Sequence, residues 1–324
     1  MTVIAIEPLT VETYVRDVLP HTHGLWGDGR TYDAYVENFR AVATSVYARR
    51  RTFTVGLREG DRLAASCKTY ERELRFGERT LRATGIGAVF TPEPLRGRGY
   101  ASAMLGALLD SERATGRDLA FLYSDIHPAF YEKLGFVTLP SRAMTVRAAG
   151  FDGSPVGAVP LENDDWAAVR RCFEALEGTR TWSFRRPPLL WNWMRGRWSA
   201  PPPAGTQTVQ LVVRRGRNVI AYALGRRVPR DDTFALDEYA FDGEQGAGAM
   251  PALLRASAGD LRRIGGWLPP SPAREVLPRA SVRARKGAVF MIVPLSSAAR
   301  AWWAATKDAT LASRGDLSWS ADHI

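Results

Sequence analysis

The chain has 324 residues, 45% of them hydrophobic, and a formal net charge of +10 at pH 7. That length predicts two domains of ordinary size, and no apolar run is long enough to span a bilayer, so no membrane partner is expected. The charge is nearly all arginine, with lysine only at positions 68, 133, 286 and 307; the arginines are scattered, without the basic runs or aromatic–basic repeats of a nucleic-acid partner. The opening MTVIAIEPLTVETY has no basic segment followed by an apolar one, which predicts a cytoplasmic protein. Val3 to Ile6 reads as a short strand and Val11 to Leu19 as a helix. Tyr32 to Arg49 reads as one further helix, with Tyr35, Phe39, Val42 and Val46 at helical spacing. His21, His23 and Trp26 fall in a loop between those helices. Arg51 to Leu57 alternates as a strand, and Asp61 to Phe76 with Arg79 to Phe90 form a long hairpin about Gly77. Cys67 and Cys172 lie far apart, which predicts free thiols and neither a disulfide framework nor a metal cluster.

Residues 96–101 read Arg-Gly-Arg-Gly-Tyr-Ala, between the apolar strand Gly85 to Phe90 and a helical run from Ser102 to Glu112. A glycine-rich turn that opens a helix exposes unpaired backbone N–H groups at the positive end of the helix dipole, a site for phosphate oxygens. Gly97 and Gly99 allow close approach of the backbone. Arg96 and Arg98 add charge-assisted hydrogen bonds. The Gly-Lys-Ser/Thr of a Walker loop is absent, and Ser102 stands where a dinucleotide fingerprint needs its third glycine. Beyond the helix, Leu119 to Tyr123 is a strand and Phe130 to Leu134 a short helix stopped by Gly135. Arg142 to Arg147 is expected to close the first domain as a strand.

A linker is expected near Ala148–Pro155. In the second half, Trp166 to Leu176 reads as an amphipathic helix. The segment WSFRRPPLLWNWMRGRW comes next, at 182–198. Its tryptophans, Trp182, Trp191, Trp193 and Trp198, suit packing better than a substrate wall, although the arginine–aromatic mix keeps the second role open. Gln207 to Arg214 and Asn218 to Arg226 form a hairpin, Phe234 to Phe241 a strand, Gly248 to Ile264 a helix and Ala288 to Pro294 a strand. This order echoes the first half. Here, however, Asp242 and Glu244 surround the glycine-rich turn with negative charge, which disfavours pyrophosphate.

Arg96-x-x-Gly99-x-Ala101 resembles the pyrophosphate loop of the GNAT N-acetyltransferases, which bind acetyl-coenzyme A. About thirty residues further on, Phe130-Tyr131-Glu132-Lys133-Leu134-Gly135-Phe136 resembles the segment whose tyrosine lies beside the coenzyme sulfur in that family. A narrower resemblance joins Ala65–Tyr70, Gly85–Thr91, Arg96–Ala101 and Leu122–Ile126 to the fungal lysine N6-acetyltransferases. That branch has an acidic residue where this chain has Lys68, and a cation there repels an ammonium, which weighs against free lysine. The resemblance implies an α/β fold of the mixed-sheet GNAT type with a second, degenerate GNAT-like domain. Residues 1–148 would be the catalytic acetyl-CoA-binding domain. Residues 156–324 would shape the acceptor site or an interface, in a monomer or homodimer.

The chemistry implied is acetyl transfer from acetyl-CoA, as cosubstrate, to a primary amine of a small molecule, such as lysine or a related amino acid. The amine attacks directly in a ternary complex. Arg96, Gly97, Arg98, Gly99, Tyr100 and Ala101 would hold the pyrophosphate. Backbone N–H groups near Val89, Phe90 and Thr91 would hold the oxyanion. Tyr131 would protonate the thiolate, and Asp125 or His127 would take the amine's proton; Glu71, Glu73 and the C-terminal carboxylate of Ile324 are further candidates. His23, Trp26, Lys68 and Tyr70 would wall the acceptor pocket, and Lys68 suggests an acceptor with an anionic group besides its amine. The alternative is a non-catalytic acyl-CoA sensor or partner-binding module, against which Tyr131 argues.

Overall fold

The computed structural model describes residues 5–27, 29–151 and 157–324. The expected linker residues 152–155 and the first residues of the strand expected at Val3 therefore lie outside the described residues. The first half contains β1 (Ile6–Pro8), α1 (Val11–Asp17), α2 (Leu19–Trp26), α3 (Tyr32–Ala43), α4 (Val46–Arg51), β2 (Thr52–Glu59), β3 (Arg62–Phe76) and β4 (Arg79–Phe90). Then come α5 (Tyr100–Ala114), β5 (Leu119–Ser124), α6 (Ala129–Glu132), β6 (Val137–Thr138) and β7 (Arg142–Arg147).

Local chemistry explains two departures from the sequence reading. His21, His23 and Trp26 lie on α2, not in a loop. Pro20 stands in the first turn of that helix, where its missing N–H breaks no hydrogen bond. The single helix expected from Tyr32 to Arg49 is two helices. The Thr44 hydroxyl donates to the Arg40 carbonyl at 2.8 Å, and Ser45 restarts the helix by accepting from the Ala48 amide at 3.2 Å.

The second half contains β8 (Ala158–Pro160), α7 (Trp166–Gly178), β9 (Trp182–Arg185), α8 (Pro188–Ser199), β10 (Gln207–Arg215), β11 (Asn218–Val228) and β12 (Thr233–Phe241). It continues with α9 (Gly243–Ala258), β13 (Arg263–Trp267), β14 (Ser281–Ala284), β15 (Val289–Pro294) and α10 (Ser297–Leu311). The helix expected over Gly248 to Ile264 is displaced. It starts at Gly243 and stops at Gly259, which takes φ 61°, so that Ile264 belongs to a strand. Gly246 lets this helix press on the sheet, since a Cβ there would lie 2.4 Å from the Ile220 carbonyl oxygen.

The strands form two mixed sheets that exchange members. The first runs β1-β2-β3-β4-β5-β15-β6, with β9 added to the free edge of β3; the second runs β14-β7-β13-β12-β11-β10-β8. The strand at Arg142–Arg147 is present, but it does not close the first sheet. It pairs with β13 and β14 of the second. In return β15 inserts between β5 and β6 of the first sheet, and β9 pairs with residues 73–76 of β3. Alternation reveals a strand but not the edge it will find. Among the described residues, no helix is long and apolar enough to cross a membrane.

A buried charge cluster ties the segments together. Arg186, with no exposed side-chain surface, lies 2.5 Å from Glu238 on β12 and 2.9 Å from Asp322 near the C-terminus. The Tyr222 hydroxyl donates to the same Glu238 carboxylate at 2.6 Å. Removing the guanidinium leaves two buried carboxylates uncompensated. Arg186→Met should therefore lower the unfolding free energy by about 3–5 kcal/mol, measured by denaturant titration. A loss under about 1 kcal/mol, the range of exposed pairs, would contradict this.

Candidate functional site

The site begins where two neighbouring strands separate. β4 and β5 are parallel and paired from Ala83–Leu119 to Ile86–Leu122, and no further. Beyond that point, residues 87–90 of β4 have no strand partner on the β5 side. The divergence coincides with a bulge. Ser66 pairs with Phe90 and Lys68 with Gly87, leaving Ala88 and Val89 opposite Cys67 alone, and Ala88 takes φ 50°. Both strands are held on their outer edges, β4 by β3 and β5 by β15. The result is a wedge with unpaired backbone polar groups along one wall, and such groups need partners.

The glycine-rich loop comes directly after β4. Gly97 and Gly99 adopt φ 76° and 84°, and no atom lies within 4 Å of where a Cβ would stand on either. Packing therefore does not require glycine at these two positions. The left-handed backbone does, and it leaves the loop surface open to a ligand. Gly99 caps the 15-residue helix α5, which has no acidic residue in its first turn. Arg96, Gly97 and Arg98 are exposed, and the Tyr100 hydroxyl is hydrogen-bonded to Glu59. Free first-turn donors, a helix dipole and two arginines fit a pyrophosphate. The start of α9 does not, because Asp242 and Glu244 flank it and Arg215 is hydrogen-bonded to Gln245.

Tyr131 lies on α6 in the core that α5 forms with the sheet, and only 7% of its surface is exposed. Burial first, then Cys67 and Asp125, pushes its pKa up to about 12, so the phenol is protonated at neutral pH. No hydrogen-bond partner for its hydroxyl occurs among the described residues. Asp125 and His127 are exposed on the loop after β5. Asp125 accepts from the Ala288 amide at 2.8 Å, and His127 Nδ1 accepts from the Ala129 amide at 3.2 Å. Both side chains hold local structure. Glu71 is paired with Arg51 and Arg117, and Glu73 with Arg185.

On the opposite face of the sheet from α5, Lys68, Tyr70 and Arg72 project from β3 at two-residue spacing. Lys68 and Tyr70 floor a pocket of about 310 Å³, walled by Leu9, Val11, Phe39, Val42, Phe53 and Trp193. Lys68 and Tyr70 are also the register partners of Gly87 and Gly85 on the parting strand. The pocket and the wedge therefore adjoin. His23 and Trp26 do not line the pocket. His23 Nε2 donates to the Arg30 carbonyl at 2.7 Å, and Trp26 is 37% exposed on α2. His21, by contrast, stacks on Phe90 with ring centroids 6.0 Å apart.

The tryptophans divide between the two roles. Trp182, Trp191 and Trp198 pack against Phe290, Phe173 and Trp166. Trp193 lies against Tyr47 and walls the pocket. Sequence reasoning did not single out Phe39, Phe53 or Arg72. For Arg72 the signal was available, because the alternation of β3 places it beside Tyr70. It likewise passed over His323, whose ring lies 5.2 Å from Tyr123 at the end of β5. Ile324 rests on the parting strand, where a Cβ on Gly85 would come within 2.5 Å of its side chain. Cys67 and Cys172 are free and buried.

Residues 11–138 match the family described as Acetyltransferase (GNAT) domain. A lysine acetyltransferase of Yarrowia lipolytica (strain CLIB 122 / E 150) is 29% identical over an alignment of 161 residues, which covers 41% of this chain and 41% of that protein. The chain thus matches less than half the length of that curated relative. Among solved structures, a probable N-acyltransferase from Enterococcus faecalis V583 superposes with a TM-score of 0.71 at 14% identity, covering 91% of this chain and 73% of that one. A tandem GNAT protein from the clavulanic acid biosynthesis pathway superposes with a TM-score of 0.52 at 12% identity, covering 90% of this chain and 99% of that one. The parted strands and the glycine loop agree with these likenesses: residues 11–138 match the GNAT acetyltransferase domain, and the described chain has the two-domain GNAT fold.

Proposed function

We propose that the chain is an acetyl-CoA-dependent N-acetyltransferase acting on a primary amine of a small molecule. The observation that carries this reading is the loop of left-handed glycines, which opens a long helix directly after the strand that parts from its neighbour. In this reading the amides of residues 96–101, with Arg96 and Arg98, bind the pyrophosphate, and the unpaired edge of residues 87–91 holds the pantetheine arm and the developing oxyanion. When bound, acetyl-CoA supplies a thioester carbonyl open to attack by an amine.

The chain's own residues then position the amine and move two protons. Lys68 and Tyr70 border the acceptor side. Tyr131, protonated and without a protein partner among the described residues, is the donor to the departing thiolate. The pocket lining includes no Asp, Glu or His, so in this reading the candidate left to take the amine's proton, directly or through water, is the C-terminal carboxylate of Ile324, whose carbonyl carbon and oxygen lie over Gly87. The second half supplies β15, which fixes β5, and Trp193, which closes the pocket. It carries no second coenzyme site, because its equivalent turn is acidic.

Two variants test the assignments. Gly99→Val forces a side chain onto a backbone at φ 84° and into the space left for the anion, so calorimetry should register loss of acetyl-CoA binding; unchanged affinity would refute the loop assignment. Tyr131→Phe keeps the ring and its packing but removes the donor. With an amine acceptor, thiol release should fall roughly ten- to a thousand-fold, while coenzyme affinity holds. Wild-type turnover with chemistry rate-limiting would reduce Tyr131 to a packing residue. Failure of every amine in a broad panel, with coenzyme still bound, would favour a coenzyme sensor instead.

A further inference from the structure

The pocket beside the wedge combines two properties rarely found together. Its walls are mostly apolar, yet its floor is cationic. Lys68 is partly buried, with its ammonium 4.6 Å from the Phe39 ring centroid and 5.0 Å from that of Tyr14. Among the described residues, it has neither a carboxylate within ion-pair distance nor a hydrogen-bond partner. Burial lowers its pKa to about 8, which still leaves it mainly charged at neutral pH.

Arg72, behind Tyr70, repeats the pattern. It is 8% exposed and enclosed by the rings of Tyr47, Tyr70 and Trp193. Its only hydrogen bond among the described residues is a long one, 3.5 Å to the Glu71 carbonyl. The nearby Asp322 is held by Arg186 at 2.9 Å. The one other charged residue in the pocket lining, Arg49, is also a cation. A desolvated cation with no counter-charge is costly, and cation–π contacts recover only part of that cost. Asp322 acts on Arg72 and the Ile324 C-terminus lies over Gly87, but among the described residues neither forms an ion pair with Lys68, so the floor of the pocket can still take an anion from a ligand.

We infer that this pocket selects the acceptor, and that the acceptor is an amphipathic amine: an apolar body that fills the pocket and a carboxylate that pairs with Lys68. The inference rests on the acetyl-transfer reading and narrows it. The register of Lys68 with Gly87 sets that carboxylate's partner on the strand next to the transfer point. The same floor repels polyamines, and the apolar walls disfavour a second ammonium such as that of free lysine.

Binding and turnover test this separately. The binding probe is 3-phenylpropionate, which carries the apolar body and the carboxylate but no amine. Calorimetry should register its binding to the full chain. Lys68→Met should weaken it about tenfold or more, as expected for loss of a charge-assisted bond, while Lys68→Arg should largely restore it. In thiol-release assays, phenylalanine should exceed phenethylamine and spermidine in kcat/KM by about tenfold or more, and Lys68→Met should erase that preference. The inference is overturned if spermidine or phenethylamine proves the better acceptor, or if folded Lys68→Met binds 3-phenylpropionate as wild type does. If no amine is acetylated but 3-phenylpropionate binding still depends on Lys68, the transfer reading fails while the pocket assignment stands.

Discussion

The separation of β4 from β5 after the Ile86–Leu122 pair is the constraint on which the rest of the molecule depends. Two parallel strands that stop pairing in mid-course leave backbone donors and acceptors unpaired, and a fold tolerates this only where another molecule or water can take them. The wedge cannot simply close. β4 is bound along its other edge to β3 as far as Phe90, and β5 to β15 as far as Ser124. The bulge at Ala88 and Val89 turns the free segment away from β5. The glycine loop and α5 continue from the end of β4, and α6 from the end of β5, so the parted strands place all three.

The second half therefore helps to hold the wedge. Without β15 the outer edge of β5 would be bare, and the first sheet would lose β6 as well. The exchange of β7 for β15 makes the two halves one folding problem. The second half contains the same arrangement of parallel strands, with β12 and β13 paired only as far as Leu236–Gly266. There the chain fills its own gap. Trp319 packs on Tyr239, Ser320 bonds Asp237, and Asp322 joins Arg186 and Glu238. The same segment ends on the first wedge, where Ile324 lies over Gly85 and Gly87.

The legible parts of the fold were those whose physics is local. The hairpin about Gly77 arises from alternation on both sides of a turn residue. Residues 96–101 were legible because left-handed glycines, arginines and a helix start occur within six positions. Tyr131 was identified through resemblance, and the structure adds that its hydroxyl has no partner among the described residues. Strands 142–147 and 289–294 were visible, but their sheets were not, because pairing partners are chosen by tertiary contacts that periodicity does not encode. α10 was missed although Ser296 is a good N-cap, its side chain accepting from Ala299 at 3.0 Å. Of the pocket, Lys68 and Tyr70 were legible and Trp193 was open between packing and a wall, while Phe39 and Phe53 come from two other elements and carried no signal for it. Asp125 and His127 suited a base by chain position, yet each is tied to a backbone amide.

The most direct test is a crystal structure of the chain with coenzyme A. The account predicts one coenzyme per chain, with its pyrophosphate on the amides of residues 96–101, its pantetheine arm along residues 87–91 of β4, and its sulfur next to the Tyr131 hydroxyl. A coenzyme seated at the start of α9, or one that leaves the β4–β5 wedge empty, would contradict it.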